Sequence, residues 1–235
     1  MKWFKFIFWP VFLVISVSYL IGLYINHPKT ILKNVIINNT PNEFTFKVSY
    51  AGFIPLGKGV VENKGIEDFG KEEAYHLKAT AWPNSLINFL GNKIEAEAHS
   101  FIDADKFYTL RFIAKVRISG ETKEEKTIVY DQRKHTMEKD GEEREILPST
   151  HDPLSLLFYL MQQGLSLGKT IDLNINTNQK NYRFYGKIVK EKAVNIGNEV
   201  FMTYLLKGKV QRRNNSLRHS SEFTVWFIDK PLRFF

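Results

Sequence analysis

The feature that leaves this chain least freedom is a two-residue alternation recurring along most of its length. Tyr108, Leu110, Phe112, Ala114, Val116 and Ile118 alternate with Arg111, Lys115 and Arg117. Phe44, Phe46, Val48 and Tyr50 alternate with Thr45, Lys47 and Ser49, and Ile94, Ala96 and Ala98 with Glu95, Glu97 and His99. Successive side chains of a strand point to opposite faces, so each series describes an antiparallel strand with one face in a core and one in water. Tyr75 to Ala81, Ile171 to Ile175, Tyr182 to Ile188, Glu199 to Val210 and Phe223 to Phe227 extend the pattern. An aromatic content of 14%, with 19 Phe and 10 Tyr, reinforces it, because rings pack well on pleated faces. Gly120 to Lys126 reads as a charged turn and Asp140-Gly141 as a hairpin tip.

One stretch breaks the alternation. His151 to Gly164 predicts a helix: Asp152 suits the N-cap, Pro153 the first turn, and Gly164 a left-handed stop. Leu154, Leu157, Phe158, Met161 and Leu165 share one face, while Leu156, Tyr159 and Leu160 carry apolar surface nearly all the way round. Such a helix needs burial on several sides. The expected fold is therefore mainly β: a strongly curved antiparallel sheet of about ten strands, a half-barrel or open barrel, packed around one central helix. Leu154, Leu157, Phe158 and Met161 are its expected helix core. A sandwich with a peripheral helix is the alternative, and would call for a clearly polar helix face.

The N-terminus is of a different kind. Phe6 to Ile25 carries no charge, and roughly twenty residues as a helix span about 30 Å, enough to cross a hydrocarbon core. Trp3, Trp9 and Tyr24 lie towards its ends, where interfacial aromatics anchor a span. No small-x-small cleavage site follows, so an uncleaved transmembrane anchor is expected over a signal peptide. Lys2 and Lys5 favour a cytoplasmic N-terminus and place the rest outside the cytoplasm. The expected organisation is an anchor over residues 1–25, a tether over 26–42, and a β domain over 43–235 containing the helix at 152–164.

Charge and residue usage exclude several chemistries. With no cysteine, disulfides, thiolate metal sites, a thiol nucleophile and a cysteine-linked lipid are ruled out. The net charge of +8 comes from lysines and arginines interspersed with acids, with no basic cluster interleaved with aromatics in the sequence, so a nucleic-acid partner is not expected. The six histidines lack metal-ligand spacing; His99 with Asp103 and Asp105 comes closest, and reads as an outward strand residue beside a turn. Ser155, His151 and Asp152 assemble nucleophile, base and acid only superficially, because one helical turn cannot set the Asp behind the His while the His faces the Ser. Capping accounts for Asp152 and Ser155 better. Glu95 and Glu97 read as carboxylates on a solvated face, Gly57-Lys58-Gly59 as a turn or bulge beside a strand, and Arg212, Arg213 and Arg218 as a solvated basic loop. No catalytic residue, cofactor or metal is expected.

Four phrases resemble a bacterial family of exported proteins, domain of unknown function 3108. They are Phe46 to Gly57, Ser100-Phe101-Ile102-Asp103, Asp152 to Leu160, and Val225 to Arg233 with its Trp226 and Asp229-x-Pro231-x-Arg233. The resemblance spans Phe44 to the end and implies an envelope location and a curved β domain, but no catalytic residue. It also implies either a shortened C-terminus or an uncovered last sheet edge.

The expected function is that of a non-enzymatic, single-pass protein of the bacterial inner membrane, its C-terminal domain in the periplasm, holding a hydrophobic or lipid-like ligand in the concavity of the sheet. The alternatives are an assembly factor that binds another envelope protein through sheet edges, and a hydrolase of an envelope polymer.

Overall fold

The computed structural model describes residues 43–50, 54–70, 72–83, 94–177, 179–196, 199–213 and 220–228. The expected anchor and tether, with Trp3, Trp9 and Tyr24, lie outside the described residues.

The alternating series become strands of two sheets. The first is an antiparallel meander of eight strands in sequence order: β1 (Glu43–Tyr50), β2 (Ile54–Phe69), β3 (Glu72–Pro83), β4 (Ile94–Asp103), β5 (Thr109–Ile118), β6 (Glu121–Asp131), β7 (Thr136–Lys139) and β8 (Glu142–Glu145). The second holds five strands in the order β13 (Ser220–Ile228), β12 (Glu199–Arg212), β11 (Lys180–Ile196), β10 (Thr170–Thr177) and β9 (Thr150–His151). One curved sheet of about ten strands is thus corrected to two sheets, with no closed barrel among the described residues.

The division falls where the sequence stops alternating. After β8, Ile146 turns into the core at 2% exposure, and β9 pairs in parallel with β10. A parallel pair cannot be joined by a tight turn. Its crossover contains α1 (Pro153–Gln162).

Asp140-Gly141 is the expected hairpin tip, but the charged turn expected over Gly120 to Lys126 is corrected to Ser119-Gly120, because Glu121–Asp131 pairs with β5 as strand β6. Ser119-Gly120 and Asp140-Gly141 both have positive φ at each residue, the requirement of a two-residue hairpin loop. By contrast β2 was not legible as a strand. Gly57 and Gly59 sit in its interior, paired with Val48 and Phe46, rather than in a turn. Its pairing with β3 shifts between Asn63 and Ile66, where Gly65 takes φ +99 and donates to Asn63 Oδ1 at 2.9 Å. Such a bulge swaps the faces and erases the period.

The helix α1 is buried on two nearly opposite sides. Leu154 joins Val61, Ala79, Ala81, Ile94, Ala96 and Ala98 of the eight-stranded sheet, and Phe158 packs with Leu77 and Ile102 of the same sheet. Leu156 and Leu160 pack instead with Ile171, Ile175, Phe184, Ile188, Leu206 and Val210 of the five-stranded sheet. At 100° per residue the two pairs stand roughly 160° apart around the axis. This explains the all-round apolarity: the helix is a wedge between sheets. Full burial of each such side chain stabilises by about 1.5–3 kcal/mol.

Two details of the helix differ from expectation. Leu157 and Met161 are half-buried rather than core, because they occupy the strip between the two buried faces. The helix also ends without a left-handed glycine: Gln163 caps it in extended conformation (φ −80, ψ 117), its N–H donating to Tyr159 O, and Lys169 Nζ donates to Gly164 O at 2.7 Å.

Candidate functional site

Three constellations surround the wedge: a buried polar network at its N-terminus, an ionic chain on the outer face of the eight-stranded sheet, and the apolar strip on the helix itself.

The first begins at Asp152. Its carboxylate accepts from Leu154 N at 2.7 Å and Ser155 N at 3.1 Å, while the Ser155 hydroxyl accepts from Asp152 N at 2.9 Å, completing a reciprocal capping box. The same carboxylate reaches across to the eight-stranded sheet, accepting from Ser100 Oγ at 2.5 Å and Thr109 Oγ1 at 2.8 Å. Gln132 extends the network, donating to Thr109 O at 2.7 Å and Thr150 O at 3.0 Å and accepting from Thr150 N at 3.1 Å. Since Thr150 lies on β9, this single chain of hydrogen bonds ties both sheets to the helix cap. Ser100, Thr109, Thr150, Asp152 and Ser155 are all 0% exposed.

Burial pushes the Asp152 carboxyl up, opposed by its hydroxyl and amide donors. Tyr130 is pushed well above its ordinary value by burial and then by the neighbouring Asp152 charge. Burial brings His151 down to about 4, against a hydrogen bond to the backbone of Phe107. Its ring stands 3.4 Å from Ser155 Oγ and packs on Tyr159 at 5.1 Å between centroids.

The Ser, His and Asp do meet, but in the wrong order for nucleophilic catalysis. Asp152 spends its oxygens on the cap and on two hydroxyls, and nothing aligns it behind His151. Ser155 donates to Asp152 O at 3.1 Å, and His151 is 2% exposed. The arrangement is a staple, and Pro153, buried in the first turn, completes it.

The second constellation lies on β2 to β5. Glu67 Oε1 and His76 Nδ1 are 2.6 Å apart, His76 Nε2 and His99 Nδ1 2.8 Å, and His99 Nε2 and Glu97 Oε1 3.0 Å. Three such gaps need three protons, and two neutral imidazoles supply only two. Which gap is left without a proton depends on the tautomer each ring adopts. Lys78 and Arg117 close its far end on Glu97, at 3.1 and 3.2 Å, and Arg117 also holds Glu95 at 3.0 Å.

Glu97 is accordingly not on a solvated face: it is 7% exposed. Burial alone would raise its carboxyl, but hydrogen bonds from His99, Lys78 and Arg117 bring it down to about 2. His99 is lowered, first by burial. Asp103 does not join it; its carboxylate instead accepts from Asp105 N and Lys106 N in the turn after β4. Beside this chain His76 stacks on Phe101 at 4.5 Å, and the Arg111 guanidinium stands 4.6 Å from the Phe69 ring. Among the described residues, no group of three or more His, Asp or Glu is placed to hold a metal ion.

The third constellation is the strip of Leu157 and Met161, one turn apart and half-buried between the flanks of the wedge. Neither sheet covers this strip completely, nor the opposite one, where Tyr159 is half-buried and Gln162 exposed.

Sequence reasoning missed Ser100, Thr109, Gln132 and the pairing of His76 with His99. Thr109 and Gln132 lie at strand ends, where no period marks them. His76 and His99 are 23 residues apart and become diagonal neighbours only through the register that sets His76 opposite Phe101 and Lys78 opposite His99.

A model of the family described as Protein of unknown function (DUF3108) matches residues 45–234, and the chain belongs to that family. Comparison with curated proteins and with solved structures gave no match.

Proposed function

We propose that this protein is a non-enzymatic component of the bacterial envelope, tethered to the inner membrane by residues 6–25, which holds a hydrophobic or lipid-like ligand against the uncovered face of its wedge helix. The observation that carries this reading is the half-burial of Leu157 and Met161 on a helix whose two flanks are sealed. A half-buried apolar strip between the two buried faces of the helix offers a chain-like ligand van der Waals contact and exclusion of water. The buried staple at Asp152 fixes that strip without taking part in chemistry. The sequence supplies the tether: a charge-free apolar run long enough to cross a bilayer.

A hydrolase reading draws less support, since Glu95 and Glu97, two acids on the outer face, are both held by Arg117. The assembly reading has one observation in its favour. The outer edge of β13 pairs with no other strand among the described residues, and such an edge can accept another chain.

Native mass spectrometry of the full chain, extracted with its surrounding lipid, separates these readings. A bound mass of a few hundred daltons on the wild-type protein supports the ligand. A bare chain mass, or a bound protein, contradicts it.

A further inference from the structure

The fold gathers five of the lysines onto one surface. On β11 and β12 the inward residues Phe184, Gly186, Ile188, Leu206 and Val210 are buried, and the residues between them point out. In register on that outer face stand Tyr185 opposite Lys209, Lys187 opposite Lys207, Lys190 opposite Leu205, and Lys192 opposite Thr203. Val189, left unpaired by the bulge between Ile188 and Lys190, keeps Lys190 and Lys192 on the same side. β13 adds Glu222, Thr224 and Trp226 beside Lys209, Lys207 and Leu205.

On the outer face of the other sheet several cations are neutralised, although Lys58 stands opposite Lys47 and contacts the Trp82 ring rather than an acid. There Lys78 pairs with Glu97, Lys115 with Glu125, and Arg117 with Glu95 and Glu97. On the five-stranded sheet, Arg183 is matched by Asp172, but Lys187, Lys190, Lys192, Lys207 and Lys209 make no ion pair among the described residues. Lys187 and Lys207 even face each other directly across two strands, which disfavours the sheet. Glu222 opposite Lys209 and Asp172 opposite Tyr185 are the acids in register on these rungs. Tyr185 and Trp226 stay 42% and 45% exposed among these cations.

We propose that the outer face of the five-stranded sheet, carrying Lys187, Lys190, Lys192, Lys207 and Lys209 with Tyr185 and Trp226, docks onto a membrane surface of anionic phospholipid headgroups. The inference rests on the tether proposed above, which would keep the domain within reach of a bilayer. Charge complementarity selects an anionic surface, and the two half-exposed aromatics are of the type that settles at headgroup level. A broad sheet face also suits a plane of headgroups. Single-stranded nucleic acid would call for rings on adjacent strands to stack successive bases, and here β12 separates Tyr185 from Trp226.

The test is lysine acetylation read by mass spectrometry on the full chain in lipid nanodiscs, either phosphatidylcholine alone or phosphatidylcholine mixed with phosphatidylglycerol. Acetylation of Lys187, Lys190, Lys207 and Lys209 should slow about fivefold or more in the anionic discs, while Lys123 and Lys134 keep their rates. The protection should vanish at about 1 M salt, where the screening length falls to about 3 Å. A Lys187→Glu, Lys207→Glu variant should lose the protection at Lys190 and Lys209. Equal rates in both discs, or slowing shared by Lys123 and Lys134, would overturn the proposal. Equal protection in phosphatidylcholine discs on adding inorganic phosphate or a DNA oligonucleotide would likewise overturn a lipid surface. Tethering is scored separately, by comigration with phosphatidylcholine discs. A chain that comigrates only with anionic discs supports the docking face while the tether fails, and one that comigrates with neither defeats both.

Discussion

Thr109 and Asp152 exchange hydrogen bonds in both directions: the Thr109 hydroxyl donates to Asp152 Oδ2 at 2.8 Å and accepts from Asp152 N at 2.6 Å. One residue opens a strand of the eight-stranded sheet and the other caps the wedge helix, so this exchange fixes where the helix enters the core. Thr109→Val keeps the shape but removes both bonds, leaving the buried Asp152 amide to Ser155 Oγ alone and the charged Oδ2 to Ser100 Oγ alone. The expected loss is about 2–3 kcal/mol of unfolding free energy, read by chemical denaturation of the full chain in detergent. A loss within a few tenths of a kcal/mol would mean that the exchange contributes nothing to stability.

The helix residues should separate cleanly by face. Phe158 packs with Leu77 and Ile102 and lies 5.0 Å from the Tyr75 ring and 5.9 Å from the Phe107 ring. Phe158→Ala should cost about 3–5 kcal/mol, and Phe158→Asp should unfold the domain. Leu157→Gln, on the uncovered strip, should leave the circular dichroism spectrum and melting temperature close to wild type. A folded Phe158→Asp protein would remove the wedge from the core of the account.

How far the sequence carried is visible in this same helix. Its cap, its first-turn proline and its need for burial on several sides were readable because they depend on neighbours within one turn. Which leucines face which sheet was not, because Leu156 and Leu160 are buried only once β10 to β12 exist as a second layer. Likewise Glu97 looks solvated when only its own strand is considered, and becomes buried when Lys78 and Arg117 arrive from β3 and β5. The division into two sheets followed from a two-residue strand, β9, too short to leave a pattern.

Acid should act on the fold in two windows. His151 is held near 4 in the folded protein against an ordinary 6.5, so the unfolded chain binds more protons between those values. Stability is then complete above about 6.5 and falls by up to about 3 kcal/mol as the pH drops towards 4. Glu97, held near 2 against 4.5, adds a second loss as the pH falls from 4.5 towards 2. Denaturation midpoints across pH should show both slopes, and Glu97→Gln should flatten the lower one while leaving the upper. A midpoint independent of pH between 6.5 and 4 would contradict the burial of a neutral His151.

Gly186 and Gly208 face each other across β11 and β12, with Phe223 opposite Gly208 on β13. A Cβ on Gly208 would lie 2.2 Å from Tyr185 O and 2.7 Å from the Phe223 ring, whereas one on Gly186 would first meet the Leu206 side chain at 2.7 Å. Backbone cannot yield as a leucine terminus can. Gly208→Ala should therefore lower the melting temperature clearly, by about 2 kcal/mol or more in stability, and Gly186→Ala by less. Equal effects would indicate that the three strands relax together.

The central claim is that the strip of Leu157 and Met161 is where a hydrophobic ligand lies. The most direct measurement replaces Leu157 with the photo-crosslinking analogue p-benzoylphenylalanine, irradiates intact cells, and weighs the adduct on the purified full chain. The account predicts a covalent adduct with the mass of a lipid or acyl chain, absent when the analogue is placed instead at the exposed position of Lys134. An adduct with another protein, or no adduct beyond the unreacted chain, would contradict it.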